Sequence, residues 1–174
     1  MRHKLSKKEG GKNEDRILAL FYENPDKEFT VREISNLTSI PRATAHKYLN
    51  MLKKQNIITK NNKASNSLFF KTKKINYFIE KLVSVGLIEY LIKELNPSAI
   101  VLFGSIRKGD SVKESDIDIF VETSAMKEAN LKGYEAKLGH KIQIHREPDI
   151  NKLHTNLLNN VVNGIKLYGS IKLR

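Results

Sequence analysis

Gly104-Ser105, ten residues, and then Asp116-Ile117-Asp118 are the residues of this chain best placed by type and spacing to do chemistry. Before them, Ala99-Ile-Val-Leu-Phe103 is a short continuous apolar run, the pattern of a buried strand. It ends in Gly-Ser, where a tight turn aims backbone N–H groups and a hydroxyl at an anion. Ser115-Asp-Ile-Asp-Ile-Phe-Val121 then alternates polar and apolar, so Asp116 and Asp118 point to one face of a second strand. Two carboxylates on one face beside a phosphate-binding turn suit a Mg²⁺–triphosphate.

The elements that must position these residues are readable on either side. Ile75, Phe78, Ile79, Leu82, Val83, Leu87, Leu91, Ile92 and Leu95 fall at helical spacing, with Gly86 as a bend or break and Asn96-Pro97 as the stop. After the Asp pair, Lys127–Leu138 is expected to be a helix weakened by Gly133. His140-Lys-Ile-Gln-Ile-His145 is expected to be a strand, with Ile142 and Ile144 on one side and Lys141, Gln143 and His145 on the other. Leu153, Leu157 and Val161 form a helical stripe that Gly164 closes, and Ile165–Tyr168 reads as a last strand.

The Gly-Ser, ten-residue, Asp-x-Asp spacing resembles the nucleotidyltransferase superfamily that includes DNA polymerase beta, and within it the minimal nucleotidyltransferases. Lys108-Gly109 stands where that family usually has Arg-Gly, and Ser115 matches its Ser before the first Asp. The resemblance implies catalytic, metal-binding Asp116 and Asp118, and phosphate contacts from Gly104, Ser105 and Lys108. It implies Mg²⁺ and ATP or another nucleoside triphosphate as cofactors. The family's third carboxylate, on a later strand, is replaced here by Gln143, which has no charge and cannot act as a base at neutral pH. His145 shares its face and is able to accept a proton; Glu122 is a further carboxylate nearby.

Charge divides the chain in a second way. The net charge of +12 is concentrated at the front: residues 1–74 hold 17 Lys and Arg against 7 Asp and Glu, whereas residues 75–174 hold 14 against 12. Between Ile34 and Ile79 there are nine basic residues and no acid. A stretch of this kind is the electrostatic footprint of a polyanion partner. Thr30-Val-Arg-Glu33 is a capping box that opens a helix presenting Val31, Ile34 and Leu37. A second helix follows Pro41, with Ala45, Leu49 and Leu52 inward and Arg42, Thr44, His46, Lys47, Asn50 and Lys53 on other faces. Ile57–Lys60 and Ser67–Phe70 bracket a polar turn and read as a hairpin.

Helix, helix, turn, helix, hairpin resembles a winged helix-turn-helix, which implies duplex DNA as a partner. In such folds Arg42, Thr44, His46 and Lys47 face bases or nearby phosphates, while Lys53, Lys60 and Lys63 meet phosphates.

The expected fold is therefore α+β: an N-terminal winged helix-turn-helix, then a small α/β nucleotidyltransferase domain with a mixed sheet. The expected organisation is a basic tail over 1–12, the DNA-binding domain over 13–73, a linking helix over 74–96 and the transferase over 97–174. Absent cysteine rules out disulfides and thiolate sites, and no apolar run reaches the roughly 18 residues of a membrane span, so a cytoplasmic protein is expected. Two functions remain open. One is transfer of a nucleoside monophosphate to an acceptor, which by resemblance is a protein such as a toxin, making this chain an antitoxin. The other is a transcriptional regulator whose transferase domain only binds nucleotide or a partner. The sequence also leaves a homodimer open.

Overall fold

A computed structural model of the protein describes the backbone of residues 2–174 and the side chains from residue 11 onward. It divides into two compact units, residues 1–73 and residues 74–174.

The first unit is helical. Helix α1 spans Arg2–Glu23, α2 spans Val31–Thr38 and α3 spans Arg42–Lys54. Residues 2–12, expected as a separate tail, thus continue α1 along the backbone. The capping box forms as expected: the Glu33 N–H donates to Thr30 Oγ1 at 3.1 Å, and the Thr30 N–H donates to Glu33 Oε2 at 2.8 Å. Ile34 is fully buried, but Leu37 is 59% exposed and Thr38 takes the inner position instead. Its hydroxyl is satisfied by the Ile34 carbonyl at 2.6 Å, which is how a polar side chain sits in that core at little cost. On α3, Ala45, Leu49 and Leu52 are all fully buried, as their spacing requires.

The expected hairpin is only half there. Ile58 bridges to Ala64 across the turn, and Asn62 exchanges bonds with Phe29, giving at 2.9 Å from Nδ2 and accepting at 3.0 Å. The second strand expected at Ser67–Phe70 is instead the start of helix α4, Leu68–Ser84. Ser67 Oγ accepts the Phe70 N–H at 3.1 Å, and Phe70 packs its ring 5.4 Å from that of Tyr22 on α1. Burial of one aromatic on a helical face outweighs the weak strand signal of four residues.

The expected linking helix is two helices. α4 crosses from the first unit into the second, and α5 spans Leu87–Leu95. Gly86 separates them at φ +79, a left-handed conformation that costs a glycine little. Asn96 ends α5 in the same conformation.

The second unit is a four-stranded sheet in the order β3-β2-β1-β4, with β1 Ala99–Phe103, β2 Ile117–Glu122, β3 Ile142–Glu147 and β4 Ile165–Gly169. β1 pairs antiparallel with both neighbours, and β2 and β3 run parallel, so the sheet is mixed. Every residue of β1 is buried because it is central and covered on both faces. On one face Ile100, Leu102, Ile117, Ile119 and Val121 join Phe78, Leu82, Leu87 and Leu91 in the main core. Each fully buried side chain of this kind contributes about 1.5–3 kcal/mol relative to exposure. The other face has only a small core of Val101, Phe103, Phe120, Ile150 and Val161. It is covered in part by α8, Thr155–Val162. The parallel β2–β3 pair needs a crossover, which passes through α7, Lys132–Leu138. That helix was expected from Lys127; residues 127–131 are irregular. Leu153 precedes α8 rather than lying on it, yet still packs against the small core.

Candidate nucleotide site and nucleic-acid interface

The candidate site lies at the end of the sheet where β1 stops and β2 begins. Phe103, the last residue of β1, pairs with Asp118. The chain then turns at Gly104 into a short helix α6, Gly104–Lys108. Gly104 has φ +71, and a Cβ built there would overlap the Asp118 carboxylate. The turn therefore lies directly on that carboxylate, and only glycine fits. Ser105 is half-buried in the first turn of α6, and Lys108 is exposed at its end. Gly109 closes α6 in the left-handed conformation, and the Asp110 N–H donates to the Ser105 carbonyl at 3.0 Å.

Asp116 is exposed just before β2, and Asp118 is half-buried two residues on. Burial pushes the Asp118 carboxyl above the usual aspartate range; His145 pulls it back down, and Asp116 adds a smaller upward push. Among the described residues none donates a hydrogen bond to Asp118. A partly desolvated carboxylate with a like charge nearby and no protein donor is an incomplete arrangement that a cation would complete.

The parallel register sets Gln143 beside Asp118 and His145 beside Phe120. Gln143 is exposed. The His145 ring leans across β2 to meet the Phe103 ring edge-on at 5.3 Å, which places it over the strand that carries Asp118. Gln143 and His145 thus share the Asp118 face, as the alternation of the strand requires. Glu122 does not belong to this site. It sits at the opposite end of β2, buried, accepting from Ser98 Oγ at 2.6 Å and from the Ile150 N–H at 2.9 Å. Its role is to tie β1, β2 and the turn at Ile150 together. Among the described residues no three His, Cys, Asp or Glu side chains form a metal-binding cluster.

The loop between α6 and β2 carries contacts that sequence reasoning missed. The Val112 N–H donates to Ser115 Oγ at 2.9 Å, and His140 Nδ1 donates to the Ser115 carbonyl at 2.8 Å. His140 is itself buried edge-on against Phe78. Lys74 Nζ donates to the Ser111 carbonyl, and both residues are fully buried. Lysine in a basic stretch gives no signal of such burial.

On α3, Arg42, His46 and Lys47 are exposed, and Thr44 is half-buried on the flank. Asn50 Nδ2 and His46 Nδ1 are 3.5 Å apart. Lys53 is half-buried and Lys60 exposed in the turn. Lys63 makes an ion pair with Asp26 at 3.2 Å, so its charge is partly spent within the unit. The outer face of α3 bears no acid, and its last turn holds Lys53 and Lys54. Among the described residues no helix is long and apolar enough to cross a membrane.

Comparison with known families agrees with this division. The family pattern described as polymerase beta, nucleotidyltransferase matches residues 86–172, and that of the IclR helix-turn-helix domain matches residues 16–61. The first match contains the Gly104 turn, Asp116, Asp118, Gln143 and His145; the second contains α2, α3 and the bridged turn. No curated protein and no solved structure matches the chain. With half its length under the first pattern and a DNA-binding helix-turn-helix under the second, the chain belongs to the polymerase beta nucleotidyltransferase family.

Proposed function

We propose that this protein binds a Mg²⁺–nucleoside triphosphate at Asp116, Asp118 and the Gly104-Ser105 turn, and transfers the nucleoside monophosphate to an acceptor. The unit ahead of it holds duplex DNA through α3. The observation that carries the reading is the Gly104 turn seated on the Asp118 carboxylate, because it brings backbone N–H groups and a cation-seeking carboxylate to one point. Mg²⁺, when bound, would neutralise the triphosphate and polarise the α-phosphoryl group. Asp116 and Asp118 would hold it, and Ser105 and Lys108 would steady the phosphates. An acceptor oxygen attacks the α-phosphorus, the bond to the bridging oxygen breaks, and pyrophosphate leaves with the electron pair. The acceptor proton passes to water, to His145 or to a base on the acceptor.

Family resemblance favours a protein acceptor, in the manner of an antitoxin that adenylylates its toxin. Gln143 in register with Asp118 also supports a second reading, a DNA-bound regulator that holds nucleotide without transferring it. One experiment separates them. The full chain is incubated with α-labelled ATP, Mg²⁺ and candidate acceptors, as wild type and as Gln143→Asp. A missing general base is worth about 10²–10⁴-fold, so the transferase reading expects slow labelling that Gln143→Asp accelerates. No labelling by either protein, with nucleotide binding intact, selects the regulator. Loss of Mg²⁺-dependent ATP binding in Asp116→Asn with Asp118→Asn is expected under both readings; unchanged affinity would remove the site itself. For α3, substitution of Lys53 or Lys60 should weaken binding to all duplexes alike, and substitution of Arg42 or Lys47 should relax sequence preference.

A further inference from the structure

We propose that His140 is a positioning residue for the Mg²⁺–nucleotide site, holding Asp116 in its binding geometry through the Ser115 carbonyl. This rests on the nucleotide-binding part of the proposed function. The starting observation is that the two carboxylates are not held alike. Asp118 lies within β2, where pairing with β1 on one side and β3 on the other fixes its backbone. Asp116 is exposed, immediately before β2, in a segment with no regular structure. A metal ligand on such a segment must be fixed by specific contacts or be ordered, at an entropic cost, when the nucleotide binds.

Both peptide groups flanking Asp116 are held, and by consecutive residues. On one side His140 Nδ1 donates to the Ser115 carbonyl at 2.8 Å; on the other the Ile117 N–H donates to the Lys141 carbonyl at 2.8 Å. These two bonds fix the peptide planes before and after Asp116, and with them the direction in which its side chain leaves the backbone. Ser115 is tied at its other polar groups as well: its N–H donates to the Val112 carbonyl at 2.9 Å, and its Oγ accepts the Val112 N–H at 2.9 Å. His140 is itself immobilised. It is only 6% exposed, and its ring meets that of Phe78 edge-on at 5.4 Å. Gly139 ends α7 just before it, and just beyond it Glu135 Oε1 accepts the Ile142 N–H at 3.0 Å. A carbonyl oxygen only accepts, so the imidazole serves here as a donor from Nδ1. Lys141 acts through its backbone and His140 through its side chain, so His140 is the half of this grip that a substitution removes.

The test uses the full chain and Mg²⁺–ATP by calorimetry. Groups that orient metal ligands are worth about 10–100-fold in metal affinity. His140→Phe, which keeps a ring against Phe78 but has no donor, should therefore weaken Mg²⁺–ATP binding by about 10-fold or more. His140→Asn, whose amide nitrogen replaces Nδ1 as donor, should restore most of the loss. Combined with Asp116→Asn, His140→Phe should weaken binding no further, because its effect passes through Asp116; a general loss of packing would instead multiply the two effects. If His140→Phe does not fold, or Asp116→Asn leaves binding too weak to measure, NMR on the wild type decides. Linkage then requires that Mg²⁺–ATP slow the solvent exchange of the His140 Nδ1–H, since a bond that favours binding is favoured by it. Wild type that binds no Mg²⁺–ATP, or Asp116→Asn that binds it as wild type does, refutes the Asp116 site and the role of His140 with it. With that site intact, full affinity in His140→Phe, no recovery in His140→Asn, multiplied effects in the double variant or an unchanged exchange rate overturns only the role of His140.

Discussion

The two ends of β2 carry the same functional group under opposite conditions. Asp118 and Glu122 are four residues apart and face the same side of the sheet. Glu122 is buried and saturated: Ser98 Oγ and the Ile150 N–H both donate to it, and it joins two strands and a turn. Asp118 is half-buried and receives no hydrogen bond from the described residues, with Asp116 and the Gly104 turn against it. The first arrangement is what a fold does with a buried carboxylate when stability is the only requirement. The second leaves the charge partly desolvated and met by no described donor, so its ionised form is disfavoured relative to a fully hydrated carboxylate. The difference sets a carboxylate satisfied within the fold apart from one that no described residue satisfies.

The comparison can be broken most severely at Gly104. Gly104→Ala puts a methyl group into the Asp118 carboxylate at a positive φ. We expect it to abolish Mg²⁺-dependent ATP binding in calorimetry and to cost about 1–2 kcal/mol in denaturant unfolding from backbone strain alone. Binding that survives would mean that Asp118 is not a ligand. Next comes Glu122→Ala, which strands the Ser98 and Ile150 donors. We expect a loss of about 3 kcal/mol in chemical denaturation with nucleotide affinity per folded molecule unchanged. A smaller effect of opposite sign is expected for Asp118→Asn. The Asp118 carboxyl has its folded pKa raised, so stability is lost as pH rises from the unfolded value of 3.8 through the raised value and the cost is constant above it. In metal-free buffer at neutral pH, Asp118→Asn should melt slightly higher than wild type, and the gap should close as pH falls below the unfolded value of 3.8. The smallest effect is at Glu33, whose pKa is lowered to about 2, first by the Thr30 N–H, then by its hydroxyl and by Lys27. Its contribution is present above the unfolded carboxylate range, near 4.5, and is lost as pH falls toward 2. Thr30→Ala should cost about 1 kcal/mol at neutral pH and should flatten that acid limb in thermal melts.

Much of this arrangement is legible in the chain, for reasons that differ by element. The five apolar residues of β1 and the alternation of Ser115-Asp-Ile-Asp-Ile119 at the start of β2 make the two strands and the turn between them legible from period and spacing. The inner face of α3 is legible because three apolar positions repeat over a full helix. Ser67–Phe70 is too short for that: four residues with two phenylalanines fit a strand or a helix start, and only the Tyr22 ring decides. Leu37 and Thr38 exchange places because eight residues of α2 leave its rotation to the partners it meets. Glu122 belongs with the structural residues because Ser98 and Ile150 reach it, and neither is marked in sequence. Lys74 is the extreme case. In composition it is one more cation of a basic stretch, while in three dimensions it is enclosed.

The sheet order has a kinetic meaning. β1 is central, but one of its two neighbours is β4, made last of the four strands. On the ribosome, α1, α2 and α3 emerge early and contact one another locally, so the first unit can fold while the second is still being synthesised. β1 and β2 then wait with a bare hydrophobic edge until Ile165–Gly169 arrives. A strand of five consecutive apolar residues with one open edge is a hazard for intermolecular pairing during that interval. Production of this protein should therefore be sensitive to anything that stalls translation between β2 and β4, and truncations that remove β4 should aggregate through β1 while the DNA-binding unit remains folded.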